Sequence, residues 1–279
     1  YWLPVDHYNG GMEHVTRHLI YSRFWHRFLY DIGVVPTKEP YAKRTYQGLI
    51  LGPDGEKMSK SKGNVINPDD IVREYGADTL RAYTMFIGDY TMAAPWSENG
   101  VKGVRKFLDR VLRLEKFAIS EKIESKEIET ELHKTIKKVS EDIDQMKYNT
   151  AIAAMMSYVN ILYKQEKVWI EYIKPLIILL NPIAPHITEE LWEELKLDGY
   201  VFEQKWPTYD ESKMISDKLT LPVQINGVFR YTIEINPSMQ KDEIIDLVKN
   251  EERTAKYNQD KEIKNVIVVP GKIVNIIIK

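Results

Sequence analysis

The run Glu56-Lys57-Met58-Ser59-Lys60-Ser61-Lys62-Gly63-Asn64 constrains the chain most, because this polar loop lies directly between strand-like and helix-start sequences. Upstream stands Gly48-Leu49-Ile50-Leu51. Downstream, Asn67-Pro68-Asp69-Asp70 offers a capping residue, a proline at the first helical position and acids in the first turn. The spacing predicts a loop that joins a buried sheet to a helix, and so an α/β layer. Lysine-rich loops are commonly solvated surface. A second reading is a polyphosphate grip: lysines supply compact mobile charge, serines and backbone N–H groups supply donors, and Gly55 and Gly63 permit left-handed backbone angles. The position between sheet and helix favours the second.

At 279 residues, with 43% apolar and 11% aromatic residues, the chain is long enough for two or more domains with their own cores. It has no cysteine, which excludes disulfides and thiolate metal sites and fits a reducing compartment. No signal peptide or membrane-spanning run is found, so the expected location is the cytoplasm, with no membrane partner. Lys and Arg number 39 against 41 Asp and Glu, so any nucleic-acid partner must be held by local patches rather than net charge. The chain opens without methionine inside the strand-like Tyr1-Trp2-Leu3-Pro4-Val5, which predicts a piece of a longer protein.

Residues 1–51 read as one βαβ unit: a strand to Val5, a turn at Asn9-Gly10-Gly11, a helix from about Glu13 to Tyr30, and a strand over Tyr46 to Leu51. Two short helices broken at Gly76 follow over Pro68 to Arg81, and Gly88 to Gly100 reads as a loop. The charged stretch Ser120 to Glu131 reads as a solvated connection. Leu132, Ile136, Val139, Ile143 and Met146, then Ala151, Met155, Tyr158 and Leu162, recur at helical spacing and predict facing stripes of a bundle. Asn181-Pro182 ends a third helix, and Pro185 opens a fourth. The last segment changes character. Leu221 to Ile225 and Val228 to Ile235 flank Asn226-Gly227, a hairpin signal, and a helix over Lys241 to Asn250 with two strands across Pro270-Gly271 completes a small α/β domain.

Four of the six histidines, His7, His14, His18 and His26, lie close together in sequence. Zinc needs three or four convergent ligands, and on a helix His26 points away from the His14, His18, Tyr21, Trp25 stripe. A structural pair in an aromatic layer, or a pocket wall beside Gly10-Gly11 at a strand's carboxyl end, are the other readings. Glu13 either complements a helix dipole or accepts hydrogen bonds from ribose hydroxyls.

Asp6-His7-Tyr8-Asn9-Gly10-Gly11-Met12-Glu13-His14, His18 to Phe24, Gln47-Gly48, Lys57-Met58-Ser59-Lys60-Ser61, Pro182 to Trp192 and Pro270 to Asn275 together closely resemble the carboxyl-terminal part of class I aminoacyl-tRNA synthetases, above all the leucine-specific branch. The resemblance covers essentially the whole chain. It implies a multidomain α/β and α architecture: the carboxyl-terminal half of a Rossmann-type catalytic domain (1–51), the lysine loop and connecting region (52–103), a helical anticodon-binding-type bundle (104–215) and a small α/β terminal domain (216–279). It further implies ATP-dependent activation of leucine and its transfer to tRNA(Leu), with ATP and Mg2+ as substrate and no metal site of the chain's own. By similarity Lys57 and Lys60 are catalytic, Gly10, Gly11, Glu13, Leu49, Ile50, Ser59, Lys60 and Ser61 bind ATP, and His14 and His18 line the leucine pocket.

Three departures stand against it. The family's His-Ile-Gly-His signature and the first half of the nucleotide-binding domain are not in this sequence, so the chain alone is expected to be inactive and to need an amino-terminal catalytic half, in cis or as a separate chain. The family's frequent insertion before the lysine loop is missing, since only Gly52-Pro53-Asp54-Gly55-Glu56 separates the loop from the strand, and single residues differ too: Asn9 replaces an apolar residue and Val228-Phe229 a usual Lys-Val. Rival expectations are a non-catalytic tRNA-binding subunit of a split synthetase, a sibling synthetase for isoleucine or valine, and a zinc-dependent RNA-binding module.

Overall fold

The computed structural model describes residues 2–215, 219–236, 239–257, 262–269 and 271–279; the expectations placed on Tyr1, on the start of the terminal domain at 216 and on Pro270 fall outside them. The chain divides into two compact units, Tyr1–Asp210 and Glu211–Lys279. Among the described residues no helix is long and apolar enough to cross a membrane.

The first unit opens with β1 (Val5–Asn9), α1 (His18–Asp31) and β2 (Tyr41–Thr45), and β1 pairs with β2 in parallel, Val5 opposite Tyr41 and Asn9 opposite Thr45. The second strand of this βαβ unit is therefore not the apolar Tyr46 to Leu51. That segment gives β3 (Ile50–Leu51), which joins a separate two-stranded sheet. Apolar pattern misleads here because neither strand holds a fully buried residue, β1 being mostly exposed and β2 exposed at Ala42 and Lys43 and half-buried elsewhere, so their polar residues carry no burial signal. The helix also begins later than Glu13. The bonds His14 N–H to Gly11 carbonyl, Val15 to Met12 and Arg17 to His14 span three residues, so Met12–His14 forms a tight 3-10 turn ahead of α1.

After the lysine loop come α2 (Pro68–Tyr75) and α3 (Ala77–Phe86), broken at Gly76 with φ +89°. Asn67 caps α2 by accepting from the Asp69 N–H, with Pro68 at the first position. The expected loop from Gly88 to Gly100 holds β4 (Ala94–Pro95), parallel to β3, and the start of α4 (Glu98–Leu112), capped by Ser97. Then follow β5 (Ala118–Ile119), α5 (Lys126–Asp144), α6 (Tyr148–Leu162), β6 (Val168–Trp169), α7 (Ile170–Leu180) and α8 (Pro185–Glu194). The solvated connection is shorter than Ser120 to Glu131: Ser125 caps α5 by accepting from Ile128 N–H, and Ile128 is buried four residues before Leu132 on the same stripe. Met146 does not extend that stripe as a helical residue. It takes φ +60° past the end of α5, where Lys147 N–H closes onto the Asp142 carbonyl at 2.7 Å.

Val104, Leu108 and Val111 of α4, Ile136 and Val139 of α5, Ile152, Met155 and Val159 of α6, Ile173, Leu176 and Leu180 of α7 and Leu191 of α8 belong to one buried cluster. Residues spaced three and four apart on each helix make that cluster continuous. The second unit holds β7 (Leu219–Ile225), β8 (Val228–Ile235), α9 (Lys241–Asn250), α10 (Glu252–Ala255), β9 (Ile263–Val269) and β10 (Ile273–Ile278) in strand order β8-β7-β10-β9. Asn226 (φ +50°) and Gly227 (φ +81°) make the hairpin turn with both central residues left-handed. Asn226 also ties the turn to β10, accepting from Ile278 N–H at 3.1 Å and donating to its carbonyl at 3.2 Å.

Candidate functional site

The lysine loop is built on its own hydrogen bonds. Leu51 and Lys57 bridge across its neck, Gly52 N–H donates to the Glu56 carbonyl at 2.8 Å, and Gly55 turns at φ +75°. A Cβ on Gly52 would lie 2.6 Å from Asp54 Oδ1 and 2.9 Å from Asn64 Nδ2, so a side chain there would displace both of these groups. Asn64 closes the loop. Its Oδ1 accepts from Ser59 N–H at 2.9 Å, and its Nδ2 donates to Asp54 Oδ2 at 3.0 Å and to the Lys57 carbonyl at 3.4 Å. The Asp54 carboxyl is held below its ordinary range, first by the Glu56 N–H, then by Asn64 and by the charge of Lys62. Between the two ends, Lys60–Lys62 forms a 3-10 turn capped by Ser59 and ended by Gly63 at φ +66°.

The three lysines are not equivalent. Lys62 reaches Glu56 Oε2 at 3.3 Å, whereas Lys57 and Lys60, both exposed, make no ion pair among the described residues. Ser59 and Ser61 hydroxyls lie 3.1 Å apart. A rigid backbone presenting two unpaired ammonium groups can receive an anion with little reorganisation.

A second locus follows the strand. Gly48 N–H donates to the Tyr90 carbonyl at 2.8 Å, and a Cβ on Gly48 would fall 1.9 Å from the Met92 carbonyl oxygen, so only glycine fits. Leu49 and Ile50, with Asn9, Gln47 and Tyr90, line a cavity of about 340 Å3. Asn9 donates to the Tyr90 hydroxyl at 2.7 Å and accepts from Thr45 at 3.0 Å, which accounts for a polar residue at that place. None of Gly10, Gly11, Glu13, His14, His18, Lys57, Ser59, Lys60 or Ser61 lines this cavity.

The glycine pair and histidines form a third group. Glu13 folds back over Gly11, where a Cβ would meet its carboxylate at 2.2 Å, and as part of the 3-10 turn it does not open α1. His18 Nδ1 lies 2.7 Å from the Tyr8 hydroxyl, and its ring stacks on Tyr8 and meets Tyr21 edge-on. His14 is exposed and stands before the helix, so it is not one helical turn from His18. His26 is buried against the Thr37 carbonyl at 2.7 Å and closes the α1–β2 connection. Among the described residues no group of three or more His, Cys, Asp or Glu is placed to hold a metal ion. The sequence reading missed Asp54, Asn64 and Tyr90. Asp54-Gly55 and Gly63-Asn64 are turn pairs, and that was the available signal.

Residues 15–97 match the family model described as tRNA synthetases class I (I, L, M and V), and residues 125–245 match the anticodon-binding domain of tRNA ligase. The chain is 53% identical over 279 residues to the Leucine--tRNA ligase of Alkaliphilus oremlandii (strain OhILAs), covering 100% of this chain and 35% of that protein. The chain is similar to class I tRNA synthetases. It matches part of a leucine ligase, spanning about a third of the curated relative's length. A solved structure, the ternary complex of Agrobacterium radiobacter K84 agnB2 LeuRS with tRNA and LeuAMS, superposes on this chain with a TM-score of 0.72 at 34% identity, covering 99% of this chain and 38% of that one. The mixed α/β fold is thus that of a class I synthetase part. The lysine loop lies inside the matched 15–97 region, and α5 to α8 lie inside the anticodon-binding match.

Proposed function

We propose that this chain is the part of a leucine–tRNA ligase that carries its lysine loop, its helical tRNA-binding region and its small terminal domain. The observation that carries the reading is the contrast within the loop, where Lys57 and Lys60 stand unpaired on a backbone fixed by Asn64 while Lys62 is tied to Glu56. We read residues 1–51 as half of a Rossmann-type catalytic domain, 52–103 as the loop and connecting region, 104–215 as the helical domain and 216–279 as the terminal domain. The 53% identity to a leucine ligase favours leucine over isoleucine or valine as the amino acid.

In this reading the leucine carboxylate attacks the α-phosphorus of ATP. One P–O bond forms to leucine, the bond to the β-phosphate breaks, and its electron pair leaves on pyrophosphate. Charge grows on the departing group, so ammonium groups placed there stabilise the transition state more than bound ATP. Lys57 and Lys60 have that role, with Ser59 and Ser61 as donors. Leu49 and Ile50 form the adenine wall, Gly10, Gly11 and Glu13 meet the ribose, and His14 and His18 border the leucine side. Mg2+ accompanies ATP as part of the substrate.

The rest of the catalytic domain would cover α1. Ile20, Phe24 and Phe28, spaced by four, expose an apolar stripe beside Trp25, with Phe24 75% exposed. A contiguous face of that kind marks an interaction surface rather than scattered exposure. On β2, Arg44 has Nε and Nη2 buried without a hydrogen-bond partner, a costly arrangement. The test is leucine-dependent exchange of pyrophosphate into ATP. The full-length protein should support it and this chain alone should not. Exchange driven by another amino acid, or by the chain alone, would overturn the reading.

A further inference from the structure

Two side chains of α3 hold the start of α8 from far along the chain. Asp78 is 4% exposed and both its oxygens are used: Oδ1 lies 2.7 Å from His186 Nδ1, and Oδ2 accepts from the Ile187 N–H at 2.7 Å. One turn on, Arg81 donates from Nε to the Ile183 carbonyl at 3.1 Å and from Nη2 to the Pro182 carbonyl at 2.8 Å. At this spacing Asp78 and Arg81 share a face of α3, and they take opposite ends of the α7–α8 turn.

That turn satisfies the amides of Ile183 and Ala184 from the Leu180 carbonyl but not all of its groups. The cap position of α8 is Ala184, which has no side-chain acceptor, and Pro185 at the first position has no N–H. The open amide of Ile187 is answered instead by a carboxylate from α3, which also complements the positive end of the α8 dipole. The carbonyls of Pro182 and Ile183 lie past the end of α7 and are answered by the guanidinium.

The grip continues toward the lysine loop. The loop ends at Gly63, α2 follows, and the one break between α2 and α3 is Gly76. That joint is itself braced, because the Tyr75 carbonyl accepts from Arg105 of α4 at 2.9 Å and from the Thr79 hydroxyl at 2.7 Å. The α2 helix, the joint, α3 and α8 therefore form one hydrogen-bonded path into the helical bundle, which the loop joins through the backbone of residues 65–67 and through Met58 and Ile66, both packed against the bundle's core.

We propose that Asp78 and Arg81 are positioning residues that couple the helical bundle to the lysine loop, so that RNA seated on the bundle meets a loop in register with it. The assignment of substrates rests on the reading above. The mechanical coupling stands on the contacts alone. Arg81→Ala in the full-length protein tests both, with Arg81→Lys as the conservative variant and Asp78→Asn as an isosteric second one. Hydrogen exchange should quicken by about tenfold across residues 56–64 as well as 185–190, with 126–162 unchanged. In the two half-reactions, transfer to tRNA should fall by about tenfold in kcat while leucine-dependent exchange stays within about threefold and tRNA affinity holds. Arg81→Lys, able to reach one carbonyl, should recover part of the loss. Loosening confined to 185–190, or an equal loss in both half-reactions with a lower Tm, would reduce the pair to a local staple. If the unaltered protein shows no leucine-dependent exchange, the substrate reading fails, and hydrogen exchange still decides the coupling.

Discussion

Asn64→Ala should loosen the lysine loop without unfolding the protein. The substitution removes the acceptor for Ser59 N–H at 2.9 Å and the donor shared by Asp54 and the Lys57 carbonyl. Asp54 lies in solvent, where water replaces a lost donor, so that link is given no weight. Ser59 is half-buried, and stranding its N–H costs about 1 to 1.5 kcal/mol, the usual penalty for an unmade hydrogen bond. That corresponds to roughly a five- to tenfold rise in local opening. Amide exchange at Ser59 and Lys62, read by NMR or mass spectrometry, should speed up by that factor while the global urea midpoint stays put. Asn64→Asp separates the two halves of the side chain. It keeps an acceptor for Ser59 but loses the donor to Asp54, so Ser59 should remain protected while Asp54 titrates nearer its ordinary range. Unchanged Ser59 exchange in Asn64→Ala would refute the view that this residue closes the loop.

Gly48→Ala should cost about 2 to 4 kcal/mol in urea unfolding, because its Cβ would strike the Met92 backbone at 1.9 and 2.2 Å and break the bond to Tyr90. Gly63→Ala, with open space but φ +66°, should cost only about 1 kcal/mol, and equal costs would remove the distinction. Glu39 accepts hydrogen bonds from Arg23 at 2.8 Å and from Arg27, which hold its carboxyl down to about 2. A depressed carboxylate stabilises fully above its ordinary value of 4.5 and loses that contribution as pH falls toward 2, so Arg23→Gln should raise the Glu39 midpoint seen by carbon NMR and shift acid unfolding to higher pH. An ordinary midpoint in the unaltered protein would contradict this.

What the sequence made legible followed burial. The stripes of α5 and α6, the proline at the start of α8, the break at Gly76 and the Asn226-Gly227 turn each leave a periodic or conformational mark, and apart from Met146 at the end of the α5 stripe each stands where that mark put it. The β1–β2 pair left none, since a strand without a fully buried residue, such as Tyr41-Ala42-Lys43-Arg44-Thr45, has no apolar alternation. Helical spacing likewise could not reveal that Met12–His14 tightens into a 3-10 turn, which moves Glu13 and His14 off α1. Within the loop, the lysines announce themselves by charge, but the residue that closes it is Asn64, whose role depends on its side chain folding back onto the Ser59 amide five positions away. Asp78 and His186, more than a hundred residues apart, are invisible to any local pattern.

The central claim is that Lys60 acts on the departing pyrophosphate. Rapid-quench measurement of leucyl-adenylate formation in the full-length protein, comparing Lys60→Ala with Lys62→Ala, tests it most directly. Lys60→Ala should raise the barrier by about 3 kcal/mol, roughly a hundredfold in rate, with a smaller change in ATP affinity. Lys62→Ala, which removes a group already paired with Glu56 at 3.3 Å, should do far less. A Lys60 variant with a normal rate and weakened ATP binding would reduce the loop to a ground-state clamp and contradict the account.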